Sequence, residues 1–152
     1  MPQCFLDTSA LVKYYHNELG SAHVIALIDD PANNIWISRL SLIEMHSAVA
    51  RQVREGRLPA LSFHQWRRRF FADVRSRKFR IVRAMSSQER EAMRLLVRYG
   101  TVIPLRTLDA MQLAVALWLR DRGHLDQFVC ADAWLCEAAQ REGLAVLNPE
   151  RF

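Results

Sequence analysis

Short apolar runs alternate along this chain with stretches of helical period. Cys4-Phe5-Leu6 is apolar and stops at Asp7-Thr8-Ser9, three residue types suited to helix N-caps, before Ala10-Leu11-Val12 and Tyr14-Tyr15. That order predicts strand, cap and helix. Ser21 to Asp29 reads as a second helix, closed by the turn-rich Asp30-Pro31-Ala32-Asn33-Asn34, and Ile35-Trp36-Ile37 as a second strand. Helical spacing from Ser38 to Glu55 ends at Gly56. Phe63, Trp66, Phe70 and Val74 recur every three or four positions, predicting an amphipathic helix over Ser62 to Lys78 with Arg67, Arg68 and Arg69 mostly on its outer faces. Phe79 to Val82 fits a short strand. Ser87 to Tyr99 and Thr107 to Arg120 read as helices, Gln127-Phe128-Val129-Cys130 as a buried strand, and Ala133 to Glu142 as the last helix before a Gly143 stop and a strand over Leu144 to Leu147.

Short apolar strands alternating with amphipathic helices predict an α/β fold of three layers, a central parallel sheet of four to five short strands flanked by helices. With no repeat, linker or low-complexity segment, residues 1–152 read as a single domain. In such sheets ligands bind outside the carboxyl ends of the strands.

Composition narrows the class. At 152 residues and 51% hydrophobic the chain is long enough for a core without staples. Its longest apolar run, Leu113 to Leu119, has seven residues, against about 20 for a membrane span. No basic leader precedes Asp7, so a signal peptide is not expected and the expected location is cytoplasmic. Cys4, Cys130 and Cys136 have no zinc-site spacing and read as small buried residues. The five histidines likewise lack ligand spacing. Charge is uneven: residues 51–83 carry 11 Arg and Lys against Glu55 and Asp73, a net of +9, while the remainder is −4. A basic half beside an acidic half suits a polyanion held next to carboxylates. Arg67, Arg68 and Arg69 are candidate phosphate contacts, with a solvated face as the alternative; Phe63, Trp66 and Phe70 fit core or dimer packing better than base stacking.

Most carboxylates have solvent or a basic neighbour, as Asp73 has Arg69 and Arg77 one turn away on either side. Four are harder to place. Asp7 and Asp132 follow predicted strands, Asp109 opens an apolar helix, and Glu44 has Leu40, Ser41, Ser47 and Ala48 as its helical neighbours. Singly, Asp7 and Asp132 read as N-caps, Asp109 as a first-turn acid and Glu44 as an exposed glutamate. Together they read as a carboxylate cluster, which tolerates ionisation only with a cation among them. Oxygen-only ligands select a hard ion, Mg²⁺ or Mn²⁺, able to activate water against a phosphodiester. Arg106, three residues before Asp109, is placed to touch a phosphate or to pair with that acid.

Phe5-Leu6-Asp7-Thr8-Ser9-Ala10-Leu11, Ser41-Leu42-Ile43-Glu44, Leu108 to Ala114, and the tail from Ala131-Asp132 to Asn148-Pro149-Glu150 resemble, in order and spacing, the PIN-domain family, above all VapC-type toxins. The resemblance implies a metal-dependent endoribonuclease with Asp7, Glu44 and Asp109 as metal ligands, Asp132 as the fourth acid, and Thr8 and Ser9 supplying hydroxyls nearby. It implies cleavage by a metal-activated water, leaving 5′-phosphate and 3′-hydroxyl ends. It also implies an RNA substrate, a cognate antitoxin, a homodimer, and DNA contact only through the antitoxin. Two positions depart from the pattern: Cys130-Ala131 precedes the fourth acid where a Thr-containing strand end is usual, and Trp134 stands where smaller residues are common. The competing readings are a non-catalytic RNA-binding or scaffold protein of the same fold and a haloacid-dehalogenase-like phosphatase. The latter wants a second acid where Ser9 stands.

Overall fold

The computed structural model describes residues 1–151. The elements are β1 (Gln3–Leu6), α1 (Thr8–Tyr15), α2 (Ser21–Asp29), β2 (Asn34–Ser38), α3 (Leu40–Arg54), α4 (Ala60–Arg75), β3 (Arg80–Val82), α5 (Ser86–Tyr99), α6 (Thr107–Asp121), β4 (Gln127–Val129), α7 (Ala133–Arg141) and β5 (Val146–Leu147). The five strands form one parallel sheet in the order β3-β2-β1-β4-β5.

Alternation along β1 divides the core in two. Cys4 and Leu6 point to one face, packing with Ile35, Ile37 and Val129 against α1 to α4. Phe5 points to the other, stacked on Phe128 at 5.8 Å, under the apolar faces of α5, α6 and α7. The three expected layers result. Trp66 and Phe70 are buried in the first core, so the ring series of α4 is packing. All three cysteines are buried and free. Among the described residues no helix is long and apolar enough to cross a membrane.

Boundaries differ from the expected ones where backbone partners decide. Ser38 completes β2, paired with Val82, and its hydroxyl accepts the Leu40 amide, so α3 starts two residues late. Helix α4 starts early, behind Pro59, whose fixed φ suits a helix entry. Asp73 is also not held as expected: it accepts from the Tyr15 hydroxyl at 2.6 Å rather than pairing with an arginine.

Candidate functional site

From β1, at the centre of the sheet, the chain goes first to β2 on one side and later to β4 on the other. This reversal opens a crevice beyond the carboxyl ends of β1 and β4. Asp7 and Asp132 stand there because each ends its strand segment by capping a helix. Asp7 accepts the Ala10 amide at 3.2 Å, and Asp132 accepts those of Trp134 and Leu135 at 2.9 and 3.0 Å. Asp109, third in α6, reaches back to the Arg106 amide at 3.1 Å. The capping roles are therefore real, and capping is what fixes the carboxylates at this edge. Glu44 enters from α3. All four line one cleft of about 930 Å³, together with Thr8, Ser9 and Arg106.

Three helices, α1, α6 and α7, begin at this cleft, so their positive N-terminal ends bear on it and favour anions there. That field offsets part of the repulsion among the acids. The remainder shows in their protonation. Asp7, 4% exposed, has its carboxyl pushed up to about 7, first by burial and further by the charges of Glu44 and Asp109, against the lowering effect of Ser9 and the Ala10 amide. Burial also raises Glu44, with Asp109 adding to it, and raises Asp109, with Asp132 adding to it.

Ser9 ties the two strand ends together. Its hydroxyl donates to Asp7 Oδ1 at 2.6 Å and accepts the Ala131 amide at 3.0 Å. The Thr8 hydroxyl donates to Ser41 Oγ at 3.2 Å. Sequence reasoning missed the residue that organises this corner, Gln112. Its Nε2 approaches Glu44 Oε1 at 2.8 Å, Ser41 Oγ at 2.9 Å and Thr8 Oγ1 at 3.2 Å, and the side chain is fully buried. A signal existed: a lone amide in an apolar helix, three residues after Asp109 and so on the same face.

Arg106 is exposed at the rim, Nε 3.9 Å from Asp109 Oδ2. Arg67, Arg68 and Arg69 do not line the cleft. The Arg69 guanidinium instead covers the rings of Tyr14 and Tyr15 at 5.2 and 5.1 Å.

Among the described residues no three Asp, Glu, His or Cys side chains stand close enough to share one ion. The donor chemistry nevertheless fits a hard divalent cation: the acids are oxygen donors, and they raise one another's affinity for positive charge, here a proton.

A sequence profile of the family described as PIN domain matches residues 4–122. No curated protein sequence matches the chain. Among solved structures, the chain is similar to VapC20 of Mycobacterium tuberculosis, described as a sarcin-ricin loop cleaving toxin, with TM-score 0.67 and 18% identity over 96% of this chain and 99% of that one. It is similar to FitAcB of Neisseria gonorrhoeae, with TM-score 0.69 and 16% identity over 98% and 99%. It is also similar to VapBC2 of Rickettsia felis bound to a DNA fragment from their promoter, with TM-score 0.60 and 16% identity over 95% and 97%.

Proposed function

Because this chain belongs to the PIN domain family, we propose that it is a metal-dependent endoribonuclease, the toxin of a toxin–antitoxin pair. One observation carries the reading: Asp7, Glu44, Asp109 and Asp132 line a single cleft at the crevice of the sheet, with helix N-termini facing it.

Asp7, Glu44 and Asp109 hold a divalent ion, Mg²⁺ or Mn²⁺, with Asp132 as the fourth acid. Such an ion supplies an activated water for in-line attack on phosphorus and neutralises the charge that builds on the phosphodiester, giving 5′-phosphate and 3′-hydroxyl ends. Ser9 orients the Asp7 carboxylate and Gln112 that of Glu44, so both are set before substrate arrives. The positive ends of α1, α6 and α7 favour the charge of the scissile phosphate there. Arg106, exposed at the mouth, contacts a neighbouring one.

A cognate antitoxin is the proposed partner, with promoter DNA contacted only through it and with a cytoplasmic setting. Complexes of this kind stand among the similar structures, one from Klebsiella pneumoniae described as a toxin–antitoxin complex. A homodimer is proposed as well; Met93 and Val97, one turn apart on α5 and 58% and 80% exposed, offer it an apolar contact.

The test is incubation of antitoxin-free protein with total RNA, with and without EDTA, and mapping of the ends. Metal-dependent cuts with 5′-phosphates are expected, together with loss of cutting in Glu44→Gln. Cyclic or 3′-phosphate ends, or equal cutting by Glu44→Gln, overturn the reading.

A further inference from the structure

A second groove, open and about 420 Å³ in volume, runs along α4 between His64, Arg67, Arg68, Phe71 and Arg75. We propose that it binds the phosphate backbone of single-stranded RNA, apart from the carboxylate cleft. The proposal rests on the ribonuclease reading, and extends it to a site that holds substrate away from the cut.

At about 100° of rotation per residue, positions 64, 67, 68, 71 and 75 form one stripe along α4. The only acid of the helix, Asp73, lies half a turn round, engaged by the Tyr15 hydroxyl, so no carboxylate of α4 neutralises the stripe. Arg69 lies on that far side too, over the tyrosine rings. Of the three consecutive arginines, two therefore face the groove and one is spent on packing. Arg75, distant in sequence from the run, joins the two.

The groove is organised as well as basic. His46 Nδ1–H donates to the Leu42 carbonyl at 2.5 Å, because a carbonyl only accepts, and this leaves Nε2 to accept from Arg67 Nε at 3.2 Å. The Arg67 guanidinium also lies 5.6 Å from the centre of the Phe71 ring. It is thus pinned from two sides, with its terminal nitrogens free for an anion. Arg68 and Arg75 have no ion pair, hydrogen bond or ring contact among the described residues. They stand about 10 Å apart along the helix, more than one phosphate spacing. The exposed His64 ring offers a flat surface to a base, while the Phe71 ring is taken up by Arg67 and His46. Planar guanidinium forks beside a flat ring suit nucleic acid better than an acidic peptide, which presents isolated carboxylates.

The His46–Arg67 link joins the groove to α3, and Glu44, two positions before His46, faces the cleft from the other side of that helix. Helix α3, about 10 Å across with its side chains, lies between the two sites. A strand of a few nucleotides spans it.

The test measures binding by fluorescence anisotropy in EDTA, which prevents cutting, with fluorescein-labelled single-stranded RNA of about 20 nucleotides and with a poly-glutamate peptide as probes. The wild type, the double variant Arg68→Gln/Arg75→Gln and the control Arg90→Gln, exposed on α5 behind the sheet, are compared across salt. Losing two phosphate contacts should weaken RNA binding roughly 10-fold and flatten the slope of log K against log salt by about 1.4, while Arg90→Gln follows the wild type. No RNA binding by the wild type, an unchanged affinity and slope in the double variant, or tighter and variant-sensitive binding of poly-glutamate each overturns the proposal. Cutting of the same RNA by the wild type in Mn²⁺ is scored in parallel and bears on the nuclease reading alone.

Discussion

Gln112 Nε2 lies 2.8 Å from Glu44 Oε1, a hydrogen bond between helices on opposite faces of the sheet. The amide could be turned the other way, but its oxygen would then meet the Glu44 carboxylate and two hydroxyl oxygens. In the observed orientation Gln112 Oε1 has no partner, and the cost of that buried acceptor is offset by three contacts to Nε2.

Gln112→Met keeps the volume and removes the donor. Stability should fall by about 1–3 kcal/mol, because Ser41 and Thr8 lose a buried partner. Mn²⁺ binding should weaken by roughly 10-fold as Glu44 loses its orientation. Calorimetric titration checks the second effect, and an unchanged Mn²⁺ affinity would show that Gln112 only fills space.

Asp7 predicts a pH dependence. Its carboxyl is raised from 3.8 to about 7 in the fold, chiefly by burial. Below pH 4 both states are protonated and the group contributes nothing. Between 4 and 7 the unfolded chain loses its proton first, so stability falls as pH rises and levels off above 7, a loss of up to about 4 kcal/mol. Asp7→Asn, which caps a helix as well as Asp does, should flatten this slope when urea unfolding in EDTA is followed from acid to pH 8. Parallel slopes for the two proteins would exclude Asp7 as the source.

How much of this was legible in the sequence follows from which interactions are local. Strand, cap and helix at Leu6-Asp7-Thr8 are written in adjacent residues, and so is the capping role of Asp132; Asp109 reads from sequence only as a first-turn acid, and its bond to the Arg106 amide comes from the structure. That Asp7 and Asp132 share one sheet edge is not local, yet it could be read because parallel α/β topology collects strand ends there. Gln112 escaped because an amide carries no charge to flag it, and its partners lie 104, 71 and 68 positions away in sequence. The three arginines read as one basic run. Only the helical phase set against the Tyr14 and Tyr15 rings separates Arg69 from its neighbours.

Metal binding should be visible without any assay of cleavage. At free Mn²⁺ about 100 times its Kd, a folded-state site adds about 2.7 kcal/mol. For a chain of this size that corresponds to a rise in Tm of about 5–10 °C. Asp7→Asn and Glu44→Gln should each remove most of the rise. A Tm that follows Mn²⁺ equally in wild type and both variants would locate the ion elsewhere.

Lys13 carries a charge on α1 yet is 3% exposed. Its Nζ lies 2.6 Å from Glu150 Oε1 and 2.9 Å from Glu18 Oε1, and these partners hold its pKa up against the opposing effect of burial. The segment that brings Glu150 there passes so close to Gly20, at φ +87°, that a Cβ would sit 2.7 Å from the Pro149 carbonyl oxygen. Glu150→Gln leaves a buried ammonium with one carboxylate. It should cost about 1–3 kcal/mol, less than a fully buried pair because Glu150 is partly exposed. Gly20→Ala should destabilise by a similar amount through strain and contact, about 1–3 kcal/mol. In Lys13→Met the Glu150→Gln cost should largely vanish, since no charge remains to be left unpaired. Urea unfolding of the four proteins of that cycle measures the coupling, and additive losses would mean that the tail is held by its backbone and not by Lys13.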